Sequence, residues 1–112
     1  MSDTANSLFV YGSLLDRGQR IRIIGRDAAI CEAVLSGYLR RRSRFFYIVA
    51  KAGSSVAGGI IFDLKPDEIG RLDRYEAVPT LYTREIVDVL DSNSKRHRCW
   101  VYLPTPAVLN PR

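Results

Sequence analysis

Apolar residues fall along this chain in short, dense runs broken by glycines and polar stretches, the spacing of a sheet protein with few helices. Ser7-Leu8-Phe9-Val10-Tyr11, stopped by Gly12, predicts a short buried strand. Asp16 is placed to cap a helix over Arg17 to Gly25, anchored by Ile21, Ile23 and Ile24 and weakened by Gly18. From Ala28 to Arg42 the pattern favours extended structure, with a bulge or bend at Gly37. Phe45-Phe46-Tyr47-Ile48-Val49 predicts a strand, Lys51-Ala52-Gly53-Ser54-Ser55 a turn, and Val56 to Leu64 the returning strand. Gly58-Gly59 inside that strand points to curvature or a close backbone approach.

Pro66 suits the first turn of a helix, with Asp67 and Glu68 set favourably against its dipole. This helix is expected to run to Tyr75 or Glu76, before Pro79 forbids continuation. Two further strands follow, Tyr82 to Leu90 and Arg98 to Leu103, across a polar turn at Asp91-Ser92-Asn93-Ser94. Pro104, Pro106 and Pro111 predict an irregular tail. With no repeat and no linker, the expectation is a single domain over residues 1–112, its tails 1–7 and 104–112 loose. Many strands with one good helix placed late exclude a regular βαβ alternation. The order predicts an α+β fold around a curled or closed, mostly antiparallel sheet.

Composition narrows the functional classes. The chain has 112 residues, of which 46% are hydrophobic and 26% charged, values ordinary for a soluble globular protein. No apolar run reaches the length of a membrane span, and Met1 to Ser7 lacks the basic and apolar regions of a signal peptide, so a cytoplasmic location is expected. Cys31 and Cys99 lack metal or redox spacing and read as small core residues. The net charge of +5 gathers in Arg40-Arg41-Arg42-Ser43-Arg44 and in Lys95-Arg96-His97-Arg98. A basic patch can neutralise phosphates, but no nucleic-acid motif accompanies it, so solvated strand ends are the expectation. A positive field would equally draw in a small anion.

Few residues are candidates for chemistry. His97, the lone histidine, lies in a basic hairpin without a neighbouring acid and reads as a surface residue. Ser13 is outside any nucleophile-elbow pattern, and phosphate-loop, dinucleotide and metal-ligand spacings are absent. Carboxylates and backbone donors remain. Ile69, Leu72 and Glu76 stand at i, i+3 and i+7, so Glu76 continues the apolar face of the late helix. A desolvated acid there would have a raised pKa, useful to a general base. Alternatively the helix has ended by Glu76 and its carboxylate points into solvent. Asp67, Glu68, Asp73 and Arg74 fall on the flanks or the wet side. Tyr11-Gly12-Ser13-Leu14 can turn sharply and expose consecutive backbone N–H groups as an anion cradle, or can be an ordinary turn.

Phe9-Val10-Tyr11-Gly12-Ser13-Leu14 with Gly18 resembles the first signature of the γ-glutamylcyclotransferase-like (AIG2-like) family. Leu72-Asp73-Arg74-Tyr75-Glu76, then Pro79, Leu81-Tyr82 and Arg84, resembles its second, around the catalytic glutamate, and is most similar to the γ-glutamylamine cyclotransferase branch. The likeness runs from Leu8 to Leu103. It implies a small β-barrel with helices packed around it, and a pocket between the first strand's loop and the late helix. It implies that the backbone of Tyr11, Gly12, Ser13 and Leu14 holds a γ-glutamyl group and that Glu76 is the general acid/base. Tyr82 matches a motif tyrosine and could line the pocket. Arg84, on the same strand face, could pair structurally with an acid.

The implied activity is a cofactor-free cyclotransferase that converts a γ-glutamyl amine, amide or dipeptide into 5-oxoproline and the free amine, with no metal required. The other class left open is a non-catalytic protein that keeps the pocket and binds a small anion or nucleic acid.

Overall fold

A computed structural model describes residues 5–110 as a closed barrel of five strands with three helices. The strands are β1 (Leu8–Val10), β2 (Cys31–Arg42), β3 (Phe46–Ile61), β4 (Tyr82–Asp91) and β5 (Arg96–Pro104). The helices are α1 (Arg17–Ile24), α2 (Pro66–Tyr75) and α3 (Pro106–Leu109). Around the barrel the order is β1-β3-β2-β4-β5. Every pairing is antiparallel except the closing one, where β1 meets β5 in parallel at Leu8 and Trp100. The α+β fold with a curled or closed, mostly antiparallel sheet expected from the residue pattern, and the small barrel implied by the resemblance, are therefore the observed fold. Among the described residues no helix is long and apolar enough to cross a membrane.

Strand β1 is buried on both sides, which explains its unbroken apolar run. Phe9 packs inside the barrel with Leu35, Ile48, Ile60 and Val101. Leu8 and Val10 face the other way, onto Leu14, Ile24, Leu72 and Val108 of the helical layer. Helix α1 forms despite Gly18 because both ends are capped. Asp16 accepts a hydrogen bond from the Gln19 N–H at 2.9 Å, and Gly25 takes a left-handed conformation with φ 92°.

Three expectations are corrected. Lys51 to Ser55 does not reverse the chain: the reversal comes at Ser43–Phe45, and β3 runs on through the segment. The register steps from Ser36↔Ser55 to Tyr38↔Ala50, so Gly37 alone faces Lys51 to Ser54 in a wide bulge. Gly37 and Gly53, at φ 86° and 83°, supply the left-handed backbone that the bulge requires. The 104–112 tail is not irregular throughout: Pro104 belongs to β5, and α3 buries Val108. At the other end the Trp100 indole donates to the Ala5 carbonyl at 2.6 Å and its backbone N–H to Ser7 at 2.8 Å, tying residues 5–7 to β5. Residues 1–4 and 111–112 of the tails lie outside the described residues.

Two side chains also sit differently from expectation. Glu68 is buried, not on the wet side: it accepts from Arg26 at 2.6 and 3.0 Å and from the Lys65 N–H at 2.9 Å. Those donors hold its carboxyl down at about 2. His97 does have an acidic neighbour. Its Nε2 lies 2.7 Å from Asp91 Oδ2, with the ring edge-on to Phe62.

Candidate active site

Helix α2 ends where it does because of its own C-cap. The Ala77 N–H donates to Arg74 and the Val78 N–H to Asp73, with Ala77 in left-handed backbone at φ 54°. That is a Schellman closure, and it makes Glu76 the C-cap, one residue past the helix end at Tyr75. The spacing of Ile69, Leu72 and Glu76 then turns the Glu76 side chain inwards, into a cavity of about 290 Å³. The same cavity is lined by Tyr11, Gly12, Ser13, Leu14 and Tyr82. All six residues singled out in the sequence therefore face one space.

The carboxyl of Glu76 makes no hydrogen bond or ion pair with any described residue. Burial alone pushes its pKa up to about 7. The phenols around it feel the same environment. Burial, then the charges of Tyr82 and Glu76, drives Tyr11 far above its ordinary value, and Tyr82 is pushed up to about 12 by burial and by Glu76. Tyr11, Tyr82 and Tyr102, three of the four tyrosines in this wall, thus stay protonated, as donors. Tyr11 donates to the Tyr102 carbonyl at 2.7 Å, Tyr102 to Asp73 at 2.8 Å, and Tyr82 to the Phe46 carbonyl.

Residues 11–14 leave β1 through a tight turn that continues as a single 3₁₀ turn over Ser13–Leu15. Its own bonds are donated by Leu15 and Asp16, so the N–H groups of Ser13 and Leu14 have no partner within it. Ser13 Oγ and the Tyr75 hydroxyl are hydrogen-bonded at 2.7 Å, joining the turn to α2 across the cavity edge.

Two supports were not legible in the sequence. Buried Arg20 donates to the carbonyls of Leu14, Leu15 and Ala28, clamping the turn from behind. It occupies the buried face of α1 beside Ile24, where an apolar residue would complete the helical stripe, so a charge there hid the pattern. Asp73 accepts from Arg84 at 3.0 and 3.1 Å as well as from Tyr102. Arg84 is thus in the structural pair, stacked 4.1 Å over Trp100, and is absent from the cavity wall. Phe9, Val10, Phe45, Phe46, Tyr75, Leu81 and Tyr102 complete the lining. Phe9, Val10, Tyr75 and Leu81 belong to the two motifs, whereas Phe45, Phe46 and Tyr102 lie outside them.

The model of the γ-glutamyl cyclotransferase, AIG2-like family matches residues 8–111. AIG2-like protein D of Arabidopsis thaliana is 31% identical over 105 residues, covering 89% of this chain and 68% of that protein. A Methanocaldococcus jannaschii protein, named a γ-glutamylcyclotransferase and candidate RNase, is 25% identical over 100 residues. That match covers 87% of this chain but only 45% of the archaeal protein. The solution structure of a further Arabidopsis thaliana protein superposes with a TM-score of 0.82 at 26% identity, covering 99% of this chain and 75% of the other.

Proposed function

The chain belongs to the γ-glutamyl cyclotransferase, AIG2-like family, and from that premise we propose that it releases 5-oxoproline from a γ-glutamyl compound with Glu76 as general acid/base. The observation that carries this is a desolvated, unpartnered Glu76 sharing one cavity with the Tyr11–Leu14 turn.

The chemistry follows from the substrate. The α-amine of a γ-glutamyl group can close a five-membered ring onto its own γ-carbonyl. Near neutral pH that amine is mostly protonated and not nucleophilic. The Glu76 carboxylate takes a proton from it, the nitrogen attacks the carbonyl carbon, and the oxygen becomes an oxyanion. Backbone N–H groups of the turn stabilise that charge. Glu76, having passed that first proton to solvent, takes the second from the ring nitrogen and hands it to the leaving nitrogen as collapse of the oxyanion breaks the bond. A carboxyl with a pKa of about 7 is matched to both transfers at neutral pH. Tyr82, its hydroxyl committed to Phe46, shapes the wall. The rate gained by holding amine over carbonyl in a cavity of this size adds to the acid/base effect.

The test is 5-oxoproline release from a panel of γ-glutamyl compounds. Replacing Glu76 with Gln keeps the shape and removes the proton carrier, so kcat/KM should fall ~10²–10⁴-fold. In the native protein kcat/KM should fall on the acid side as Glu76 protonates, with a midpoint near its pKa of about 7. Release unaffected by Glu76→Gln, or absent from the whole panel, would falsify the assignment.

A further inference from the structure

The hairpin joining β2 and β3 does two things at once. It supplies Phe45 and Phe46 to the cavity wall, and it carries Arg40, Arg41, Arg42 and Arg44. Arg40 pairs across the ladder with Ile48, and Arg42 with Phe46. Cross-strand partners share a sheet face, so both arginines stand on the face that sends Ile48 into the barrel and Phe46 to the cavity. Interior-facing positions of a small barrel are normally filled by apolar side chains. Here the last two positions of that face on β2 are guanidinium groups at the barrel mouth.

These groups are held in place. Both lie over the Phe46 ring, at 5.1 and 5.0 Å from its centroid. Arg40 also donates to the Tyr11 carbonyl at 2.8 Å, which fixes it at the start of the cradle turn. Neither is neutralised: among the described residues no carboxylate pairs with Arg40, Arg41, Arg42 or Arg44. A structural arginine pair elsewhere in the molecule has its acid, as Arg84 has Asp73 and Arg26 has Glu68. Outside the cavity lining but anchored to Phe46 and Tyr11 of its wall, the two arginines therefore present oriented positive charge that no carboxylate pairs with.

We propose that Arg40 and Arg42 form an anion subsite that receives the leaving group, so that the preferred substrates are γ-glutamyl compounds whose released amine is an acidic amino acid. This rests on the cyclotransferase function above and names its substrate class. With Glu76 and the turn engaging the γ-glutamyl part, the group beyond the scissile bond meets Phe46 and the two arginines. Each planar guanidinium can take a carboxylate through paired N–H bonds, and two of them match the two carboxylates of a released glutamate or aspartate. The same charge repels a cationic leaving group such as a diamine, which is discrimination by exclusion.

The experiment compares kcat/KM for 5-oxoproline release from γ-glutamyl-glutamate, γ-glutamyl-alanine, γ-glutamyl-methylamine and γ-glutamyl-diaminobutane. Wild type should prefer γ-glutamyl-glutamate over the methylamine compound by ~10-fold or more, with γ-glutamyl-alanine between them. That ratio should collapse in the double variant Arg40→Gln/Arg42→Gln and shrink as salt is raised, and Arg42→Glu should move preference towards the diamine. Ratios are compared because Arg40 also holds the Tyr11 carbonyl, so a general loss of rate cancels. A wild-type ratio near one, or one that the variants preserve, overturns the subsite while leaving the cyclotransferase intact. Should wild type release nothing from any compound, the activity itself fails, and the subsite is judged by calorimetric titration of γ-glutamyl-glutamate. Weaker binding to the double variant then supports it, and equal or no binding sinks it. Single-stranded RNA bound by wild type and lost in the double variant, with substrate ratios unmoved, would reassign the hairpin to nucleic acid.

Discussion

At Glu76 a charge is left in surroundings that disfavour it, and this has a consequence for stability separate from catalysis. Its folded pKa of about 7 lies above the ordinary carboxylate value of 4.5, so between those limits the native state binds the extra proton. The contribution is fully present below about pH 4.5 and is lost as pH rises through 7. The penalty at neutral pH is on the order of 2–3 kcal/mol. Glu76→Gln should therefore stabilise the protein more at pH 7.5 than at pH 4.5, as read by urea denaturation; equal gains at both would contradict the burial. Glu68 has the opposite sign. Held at about 2 by Arg26 and the Lys65 N–H, it stabilises above 4.5 and loses that as pH falls towards 2. Arg26→Ala, which strands the buried carboxylate, should lower stability in the same assay at neutral pH. The place of Glu76 was legible in the sequence because three residues at helical spacing described one face. The burial of Glu68 was not, since its partner is 42 residues away.

At the scale of elements, the β1–β3 ladder shows why glycine stands mid-strand. A Cβ on Gly58 would lie 2.2 Å from the Val10 carbonyl oxygen and 2.8 Å from Phe9 Cζ. Backbone cannot yield there without moving β1, whose next residue, Tyr11, opens the cradle. Gly58→Ala should destabilise by ~1–3 kcal/mol or more and lower activity with it; a thermal melt and 5-oxoproline assay on one preparation check both. The mid-strand glycines were legible as curvature or a close backbone approach, and the Gly58 contact with β1 is the second. The β2–β3 connection was not legible, because Lys51 to Ser55 has the composition of a turn. Only the pairing partner distinguishes a turn from a wide bulge, and that partner is set by the register of Ser36 with Ser55.

Across the whole molecule the barrel interior and the helical layer are separate apolar clusters that share β1. Phe9 serves the first; Leu8 and Val10 serve the second. Phe9→Ala opens the barrel core and should cost ~3–5 kcal/mol, and Leu72→Ala, beneath α2, ~2–5 kcal/mol. Both losses should appear in a single cooperative transition, since β1 couples the clusters; two resolved transitions would show that they unfold independently. Closure also depends on the ends of the described chain. Residues 5–7 bond to Trp100, and α3 adds Val108 to the outer core.

The sequence by itself determined the strands other than β3, which it split at Lys51–Ser55, together with the late helix, the α+β class and the two motifs, because each depends on local spacing and a few neighbouring residues. It marked Glu76, the Tyr11–Leu14 turn and Tyr82 as candidates. Tertiary structure decided what distance in sequence conceals. It brought those residues to one cavity, gave Arg84 to Asp73, put Arg20 behind the turn, and carried Arg40 and Arg42 to the mouth. Barrel closure is the physical reason. Joining β1 to β5 brings residues about ninety positions apart within a hydrogen bond, as between Tyr11 and Tyr102, and no local pattern records that contact.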